Sequence, residues 1–196
     1  MKAPDDPFQR FAALVEAAKA AYPEDWNGMT LATVGPDGRP SSRVVLLKSF
    51  DPRGFVFYTN YRSRKGRDLL ARPYAALSFW WPKLEQQVRI EGRAEKVDDA
   101  EADAYFASRP RGSQIGAWAS HQSELLASRE ELEARVAELE RLYEGRPIPR
   151  PPHWSGFRVV PDRIEFWKSR ASRLHDREVY RRASDKDAWE LERLNP

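Results

Sequence analysis

The chain has 196 residues, of which 41% are hydrophobic and 32% are charged, a composition that fits one globular domain with a buried core. Its formal net charge of +3 is too mild to indicate a nucleic acid as its partner. The sequence contains no cysteine, which excludes disulfides, thiol catalysis and thiolate metal sites within these residues. The three histidines lie far apart, so we predict no metal site.

The beginning of the chain, MKAPDDPFQRF, has no apolar signal core, and no stretch approaches the roughly 18 apolar residues that a membrane span needs. We therefore expect no membrane association and a cytoplasmic protein.

In chain order, helical spacing of apolar residues first predicts a helix over about 8–22. Short strands and turns follow, then a short helix and two further strands. Asp98 and Ser128, the latter in a capping box with Glu131, begin helices in the third section. A proline-rich linker leads to a last β section. The expected strands are 29–34, 42–50, 55–60, 74–82, 85–97 and three within 156–194. Strands joined by short turns, with helices grouped between them, indicate a single antiparallel α+β domain over residues 1–196.

Two predicted strands, RVVLLK (43–48) and FVFYT (55–59), are apolar on both faces. A buried central strand would explain this pattern. A barrel that is filled inside and covered outside by a second subunit would explain it equally well.

The strand RVVLLK carries a cation at each end. Because side chains alternate along a strand, Arg43 and Lys48 are predicted to lie on opposite faces and, if both bind anions, to bind different ones. Two strand ends that reach solvent are the alternative interpretation.

The segment FYTNYRSRKG (57–66) places Tyr58, Thr59, Ser63, Arg64 and Lys65 where a strand meets a helix. Backbone N–H groups at a helix start, with hydroxyls and cations beside them, suit a phosphate. Cations are unfavourable at this end of a helix unless an anion is bound, which favours a functional interpretation over a charged first turn.

The segment YFASRPRGSQIG (105–116) places Tyr105 and Arg109 on one helix face. Arg109, Arg111 and Ser113 could together hold a second phosphate. An aromatic core with solvated arginines remains an alternative for each of them.

Near the C-terminus, Arg173, His175 and Arg177 are spaced by two, which predicts one strand face, with Leu174 pointing into the core. Beside Trp167, this face could meet a flat anionic ring, because arginine stacks on aromatic planes and histidine can bond a ring hydroxyl. An edge strand that shows charge to water gives the same pattern.

Together these pieces resemble the pyridoxine/pyridoxamine 5′-phosphate oxidase family. The matching elements occur in family order and cover nearly the whole chain after residue 28: RVVLLK, FYTN..SRK, QVR.EG, YF.SRP..SQIGAW.S.QS, EFW, RLHDR and the terminal RL.P. Each motif alone is weak, but their joint occurrence is highly specific.

The resemblance implies an FMN-binding split β-barrel with flanking helices, and a homodimer with FMN at the subunit interface. A segment at about 153–196 would serve dimerisation and substrate binding. The implied FMN contacts are Arg43, Val44, Val45, Leu46, Leu47, Lys48, Tyr58, Thr59, Arg64, Lys65, Gln87, Gln122, Ser123, Trp167 and Arg177. The implied substrate contacts are Lys48, Tyr105, Arg109 and Ser113 on the phosphate, with Arg173 and His175 as the catalytic residues at the pyridine ring.

The implied reaction is oxidation of pyridoxine or pyridoxamine 5′-phosphate at the 4′ carbon. O₂ would reoxidise the flavin, and the products would be pyridoxal 5′-phosphate, hydrogen peroxide and, from the amine, ammonia. A non-catalytic binder of flavin or pyridoxal phosphate, and a split-barrel flavin reductase with another substrate, remain alternatives.

The chain departs from the family pattern at four places. Lys168 and Ser169 replace the usual Gln-Gly after EFW, Arg170 adds a charge, Gln86 stands where Arg is common, and Ser155 replaces a glycine. We expect these departures to alter substrate preference or flavin affinity rather than to abolish activity.

Overall fold

A computed structural model of the chain describes residues 6–196, so the first five residues of the predicted domain lie outside the described part. The helices are α1 (Pro7–Ala21), α2 (Arg64–Ala71), α3 (Asp99–Ser108), α4 (Arg111–Ala119) and α5 (Arg129–Leu142). The strands are β1 (Gly28–Val34), β2 (Pro40–Leu46), β3 (Ser49–Asp51), β4 (Gly54–Asn60), β5 (Tyr74–Trp81), β6 (Gln86–Lys96), β7 (Trp154–Lys168), β8 (Asp176–Arg181) and β9 (Glu190–Arg193).

The helix starts follow from local side-chain chemistry. The Asp6 carboxylate accepts a hydrogen bond from the Phe8 N–H, and Pro7 occupies the first helical position of α1. Ser63 caps α2, while Ser128 caps α5 by accepting from the Glu131 N–H. None of these helices in residues 6–196 is long and apolar enough to cross a bilayer.

The strands form one antiparallel sheet in the order β2-β1-β5-β6-β7-β4-β3, and β8 and β9 extend it from β7. The helix α1 fills the inside of the curled sheet, where the fully buried Phe11 ring packs against Phe50, Phe55 and Phe79. The predicted antiparallel α+β class is confirmed.

The long strand β7 organises the sheet because it pairs with three others. Its first half pairs with β4, its second half with β8, and β6 runs along nearly all of it. A register shift between Glu91 and Gly92 leaves Asp162 of β7 without a partner on β6, and the two strands stay paired on both sides of it.

The two doubly apolar strands have different explanations. In β4 both faces are buried within the chain, since Val56 packs against Val97 and Ala102 on the outside. In contrast, β2 is an edge strand whose Val44 is 70% and Leu46 46% exposed. Of the two explanations, a buried central strand is therefore wrong for β2, whose outer apolar face no element of residues 6–196 covers.

Substitution of Gly92 by alanine is expected to destabilise the fold by about 1–3 kcal/mol, because the new Cβ would lie 2.1 Å from the Val160 carbonyl oxygen. Gly112→Ala is the matched control, since its Cβ would meet no atom within 4 Å. Thermal unfolding should show a lower Tm for the first variant and an unchanged or slightly higher Tm for the second. Equal Tm values would contradict the steric argument.

Candidate active site

The main cavity of the described chain has a volume of about 820 Å³ and opens between the β2 edge, β4 and helices α2, α3 and α4. Four cations line it: Arg43, Lys48, Lys65 and Arg109. Its lining, as far as the structure describes it, contains no carboxylate. Concentrated positive charge in a lining without carboxylates is a site for an anion.

A polar network fixes the Arg43 side chain at one end of the cavity. Its guanidinium donates to Thr33 Oγ1 at 2.7 Å and to Ser41 Oγ at 2.6 Å. The buried Asp68 carboxylate lies 3.9 Å away and accepts from Thr33 Oγ1. Burial lowers the pKa of Arg43, an effect that Asp68 opposes. Arg43 is thus oriented before any ligand arrives.

Lys65, in the first turn of α2, lies near Arg43 of β2. Its Nζ donates to Gln122 Oε1 at 2.9 Å, and Thr59 Oγ1 reaches the same oxygen at 3.4 Å. Burial, with the nearby Arg43 charge, lowers the pKa of Lys65. A bound anion would offset both effects.

Stacked aromatic rings form the other end of the cavity. The Tyr58 ring centroid lies 4.0 Å from that of Tyr105 and 5.3 Å from that of Trp154, and those two rings, 6.1 Å apart, are also nearly parallel. The Arg109 guanidinium sits 4.6 Å over the Trp154 ring. Burial raises the pKa of Tyr58 to about 12, so its hydroxyl stays protonated.

Arg109 offers a hydrogen-bond donor that no residue within 6–196 uses. Its Nη1 is buried without a hydrogen-bond partner among the described residues, and burial lowers the pKa of its guanidinium. A ring face holds this cation in place without occupying its N–H groups, which leaves them for an oxygen-rich ligand.

The cavity gathers most of the predicted residues between positions 43 and 123. These are Arg43, Val44, Val45, Leu46, Lys48, Tyr58, Thr59, Lys65, Tyr105, Arg109, Ser113 and Gln122. Leu47 is instead buried in the core, and Arg64 and Ser123 are exposed outside the lining. The sequence interpretation missed Trp154, whose only signal was an aromatic residue at the start of the last β section.

The prediction that Arg43 and Lys48 lie on opposite faces of one strand is wrong, because both line the same cavity. Strand β2 ends at Leu46. Beyond it, the Lys48 N–H bonds to the Val56 carbonyl of β4, so the chain has left its first partner strand. Alternation with period two does not continue through such a change of strand.

A second group of predicted residues lies on the other half of the sheet. Gln87, Trp167 and Arg177 are directly opposite one another on β6, β7 and β8. His175 and Arg177 line a cavity of about 350 Å³ with Asp176, Glu178, Arg193 and Leu194. Within one chain, the structure does not bring this group to the main cavity.

The RLHDR segment differs from the predicted single strand face. Strand β8 begins at Asp176, and Arg173 belongs to a 3₁₀ turn with a φ of 61°. Leu174 is 68% exposed, so its predicted place in the core is wrong. The turn is closed by the Arg170–Asp176 ion pair, with Nη2 to Oδ2 at 2.6 Å.

His175 is held by two contacts. Its ring lies 4.4 Å from the Trp167 ring, and its Nδ1 accepts from the Arg170 backbone N–H at 3.1 Å. When the imidazole is neutral, this bond places its proton on Nε2, which is then a donor.

Glu165, which the sequence interpretation also missed, is 1% exposed and contacts three arginines, Arg89, Arg163 and Arg177. Burial acts to raise the pKa of Glu165, but the hydrogen bonds from Arg177, Arg163 and Arg89 outweigh it and lower the pKa to about 2.

The curled antiparallel sheet with an anion cavity at its edge defines a split-barrel protein. The family model described as "Pyridoxamine 5'-phosphate oxidase" matches residues 14–143, and one described as "Pyridoxine 5'-phosphate oxidase C-terminal dimerisation region" matches 154–196. The chain therefore belongs to the pyridoxamine 5′-phosphate oxidase family.

Similar proteins agree with this membership. A pyridoxine/pyridoxamine 5′-phosphate oxidase of Myxococcus xanthus is 67% identical over 98% of this chain and 93% of its own length. One of Trichormus variabilis is 57% identical, over 97% and 89%. The crystal structure of PhzG from Burkholderia lata 383, in complex with tetrahydrophenazine-1-carboxylic acid, matches with a TM-score of 0.92 and 36% identity, over 100% of this chain and 95% of that one.

Membership confirms the resemblance, the split-barrel fold, the oxidoreductase class and FMN as the cofactor expected for the family. The dimerisation region at residues 154–196 supports a homodimer. The roles of individual residues stay predictions.

Acid is expected to destabilise the protein through Glu165. Its pKa lies below the ordinary 4.5 in the folded state, so its contribution to stability is full above about pH 5 and is lost as the pH falls towards 2. Urea unfolding from pH 6 to 2.5 should show Glu165→Gln losing less stability over that range than the unmodified chain. Parallel pH curves would contradict this linkage.

Proposed function

We propose that the chain oxidises pyridoxine 5′-phosphate and pyridoxamine 5′-phosphate with FMN and O₂, giving pyridoxal 5′-phosphate, hydrogen peroxide and, from the amine, ammonia. The observation that carries this proposal is the cavity with four cations, no described carboxylate and a buried, unpartnered Arg109 donor. The names of the similar proteins support it.

The cavity suits two phosphates rather than one. Arg43 and Lys65, with Thr59 and Gln122, form the end proposed to hold the FMN phosphate. Arg64, exposed at the start of α2, would add charge at that end. FMN, when bound, supplies the redox chemistry by accepting hydride from the substrate and passing electrons to O₂.

The aromatic end is proposed to hold the phosphate of the substrate. Lys48 and Arg109 would pair with it, and Tyr105 and Ser113 would donate hydroxyl hydrogen bonds. Nη1 of Arg109 has no acceptor among the described residues, so it can donate to a phosphate oxygen without breaking an existing hydrogen bond.

Residues of a second copy of the chain are proposed to complete the site. Five of the predicted residues lie away from the main cavity of their own chain. Four are in the matched dimerisation region, namely Trp167, Arg173, His175 and Arg177, and Gln87 is paired with Trp167. The exposed apolar edge of β2 next to that cavity suits coverage by the second copy. FMN would then lie at the interface.

In such a site Arg173 and His175 would act on the pyridine ring of the substrate. Arg173 would hold the ring in place, and the Nε2–H of His175 would donate to a polar ring substituent. Their cationic surroundings would stabilise negative charge as it develops on reduction.

The likeness to PhzG favours one second candidate, oxidation of a reduced tricyclic carboxylic acid. Such a substrate carries one carboxylate in place of a phosphate, so it offers fewer oxygens and less negative charge to Lys48 and Arg109, which both line this end of the cavity. The phosphorylated substrate is therefore preferred.

Anaerobic addition of pyridoxine 5′-phosphate to the FMN-loaded protein is expected to bleach the visible flavin band. Admitting air should restore the band and release peroxide. Pyridoxamine 5′-phosphate and tetrahydrophenazine-1-carboxylic acid would be tested alongside. Bleaching by the tricyclic acid alone would favour the second candidate, and no bleaching by any of them would leave a flavin binder.

Replacement of Arg109 by leucine is expected to raise the KM for both phosphorylated vitamers by roughly 10–100-fold, the effect of losing a charge-assisted hydrogen bond. The affinity for FMN should stay unchanged, because Arg109 lies at the substrate end. Steady-state kinetics and flavin fluorescence titration measure the two quantities. Arg129→Leu, on the exposed face of α5, is the control, and an unchanged KM for Arg109→Leu would refute the phosphate assignment.

The family departures after EFW generate a further prediction. Lys168 lies opposite Gln86 and Asp176 at the end of β7, and the Arg170 charge is already paired with Asp176. The double variant Lys168→Gln with Ser169→Gly should change the ratio of kcat/KM between the two vitamers, or the FMN Kd. Unchanged kinetics for both vitamers and an unchanged Kd would count against it.

A further inference from the structure

The buried carboxylate of Glu165 joins three neighbouring strands. Arg89 comes from β6, Arg163 from β7 and Arg177 from β8, and all three guanidinium groups reach its two oxygens. The Arg163 Nη2 lies 2.6 Å from Oε2, and this arginine also contacts Glu91. A carboxylate that is 1% exposed needs such partners, since an unpaired buried charge is costly.

Arg177 receives the most directional contact. Its Nε donates to Oε1 of Glu165 at 2.9 Å and its Nη2 to Oε2 at 3.3 Å, which is the two-point geometry of a guanidinium on a carboxylate. Its Nη1 donates to the Asn195 carbonyl at 3.0 Å. Three of the five N–H groups of Arg177 are thereby used, and two are left for a ligand.

The position of Glu165 in the sheet relates it to the predicted cofactor residues. It lies two residues before Trp167 on β7 and therefore on the same face. Trp167 is directly opposite Gln87 on one side and Arg177 on the other. Glu165 thus lies on the same face of the sheet as the row of Gln87, Trp167 and Arg177, two residues further along β7.

We infer that Glu165 is a positioning residue for FMN binding: its carboxylate fixes the Arg177 guanidinium so that the two remaining N–H groups meet the cofactor. This inference rests on the proposed role of Arg177 in holding FMN. Without the carboxylate, Arg177 loses its two-point contact and three arginines repel one another, so the side chain has to be reordered each time FMN binds.

A purely structural role for Glu165 makes a different prediction. The ion pair with Arg163 serves as the comparison, because Arg163 contacts the same carboxylate but lies outside the proposed cofactor contacts. If the network only stabilises the sheet, Glu165→Gln and Arg163→Gln should both lower the Tm, and neither should change the affinity for FMN.

The test is a double-mutant cycle on the dimeric apoprotein. The FMN Kd of the unmodified chain, Glu165→Gln, Arg177→Gln and the double variant is measured by quenching of flavin fluorescence, with the Tm of each apoprotein and with Arg163→Gln as control. Glu165→Gln should raise the Kd about 10-fold or more, as expected for losing a charge-assisted hydrogen bond. The double variant should match Arg177→Gln alone, because Glu165 acts through Arg177.

The outcomes distinguish a failure of the role inferred for Glu165 from a failure of the proposed contact between Arg177 and FMN. A normal Kd for Arg177→Gln would refute both the proposed contact of Arg177 with FMN and the inference. A raised Kd for Arg177→Gln with a normal Kd for Glu165→Gln would overturn the inference alone, as would strictly additive effects in the double variant. If Glu165→Gln does not fold, Glu165→Asp, which keeps the charge but withdraws the carboxylate by one methylene, takes its place under the same criteria.

Discussion

The length of strand β7 is the constraint on which the arrangement of the site depends. Trp154 and Trp167 lie near opposite ends of its 15 residues, which places them roughly 40 Å apart along an extended strand. One end contributes to the cavity with four cations, and the other carries Glu165 and faces Arg177. A small molecule cannot reach both ends within one chain. The separation is the physical reason why a second copy is needed in the proposed site.

The distribution of charge distinguishes the parts of the molecule. Many arginines outside the main cavity are paired with carboxylates, as shown by Arg177 on Glu165 and Arg158 on Glu101. Two cations of the cavity contact neutral groups instead: Lys65 bonds the Gln122 amide, and Arg109 lies on an indole. A third, Arg43, bonds the hydroxyls of Thr33 and Ser41 and has the Asp68 carboxylate 3.9 Å away. Cations held by neutral partners remain available to an anion, whereas a cation on a buried carboxylate is already compensated. This contrast locates the ligand site without reference to any relative.

Motifs of a few neighbouring residues predicted many of the side chains that line the main cavity. Lys65 of the first α2 turn came out in the same cavity as Tyr105 and Arg109, whereas Arg64 beside it did not. Tyr105 lies in α3 and Arg109 directly follows the end of that helix, so their short separation in the chain keeps them together. The parity argument failed between Arg43 and Lys48 because the chain changes strand partner after Leu46. It failed again in RLHDR, where a turn with positive φ at Arg173 precedes the strand.

Four properties could be inferred from the amino-acid sequence alone: the fold class, the starts of α1, α2, α3 and α5, the family motifs and the types of residue that meet an anion. Each of these follows from contacts between residues close in the chain or from a pattern carried by the residues themselves. Helix α4 was not predicted. Only the tertiary structure showed that Trp154 supports Arg109 and that Glu165 joins three arginines. Those contacts depend on how β6, β7 and β8 align and how α3 packs on β7. Alignment and packing are set by the hydrogen-bond register and the buried core of the whole sheet, which no short stretch of sequence contains.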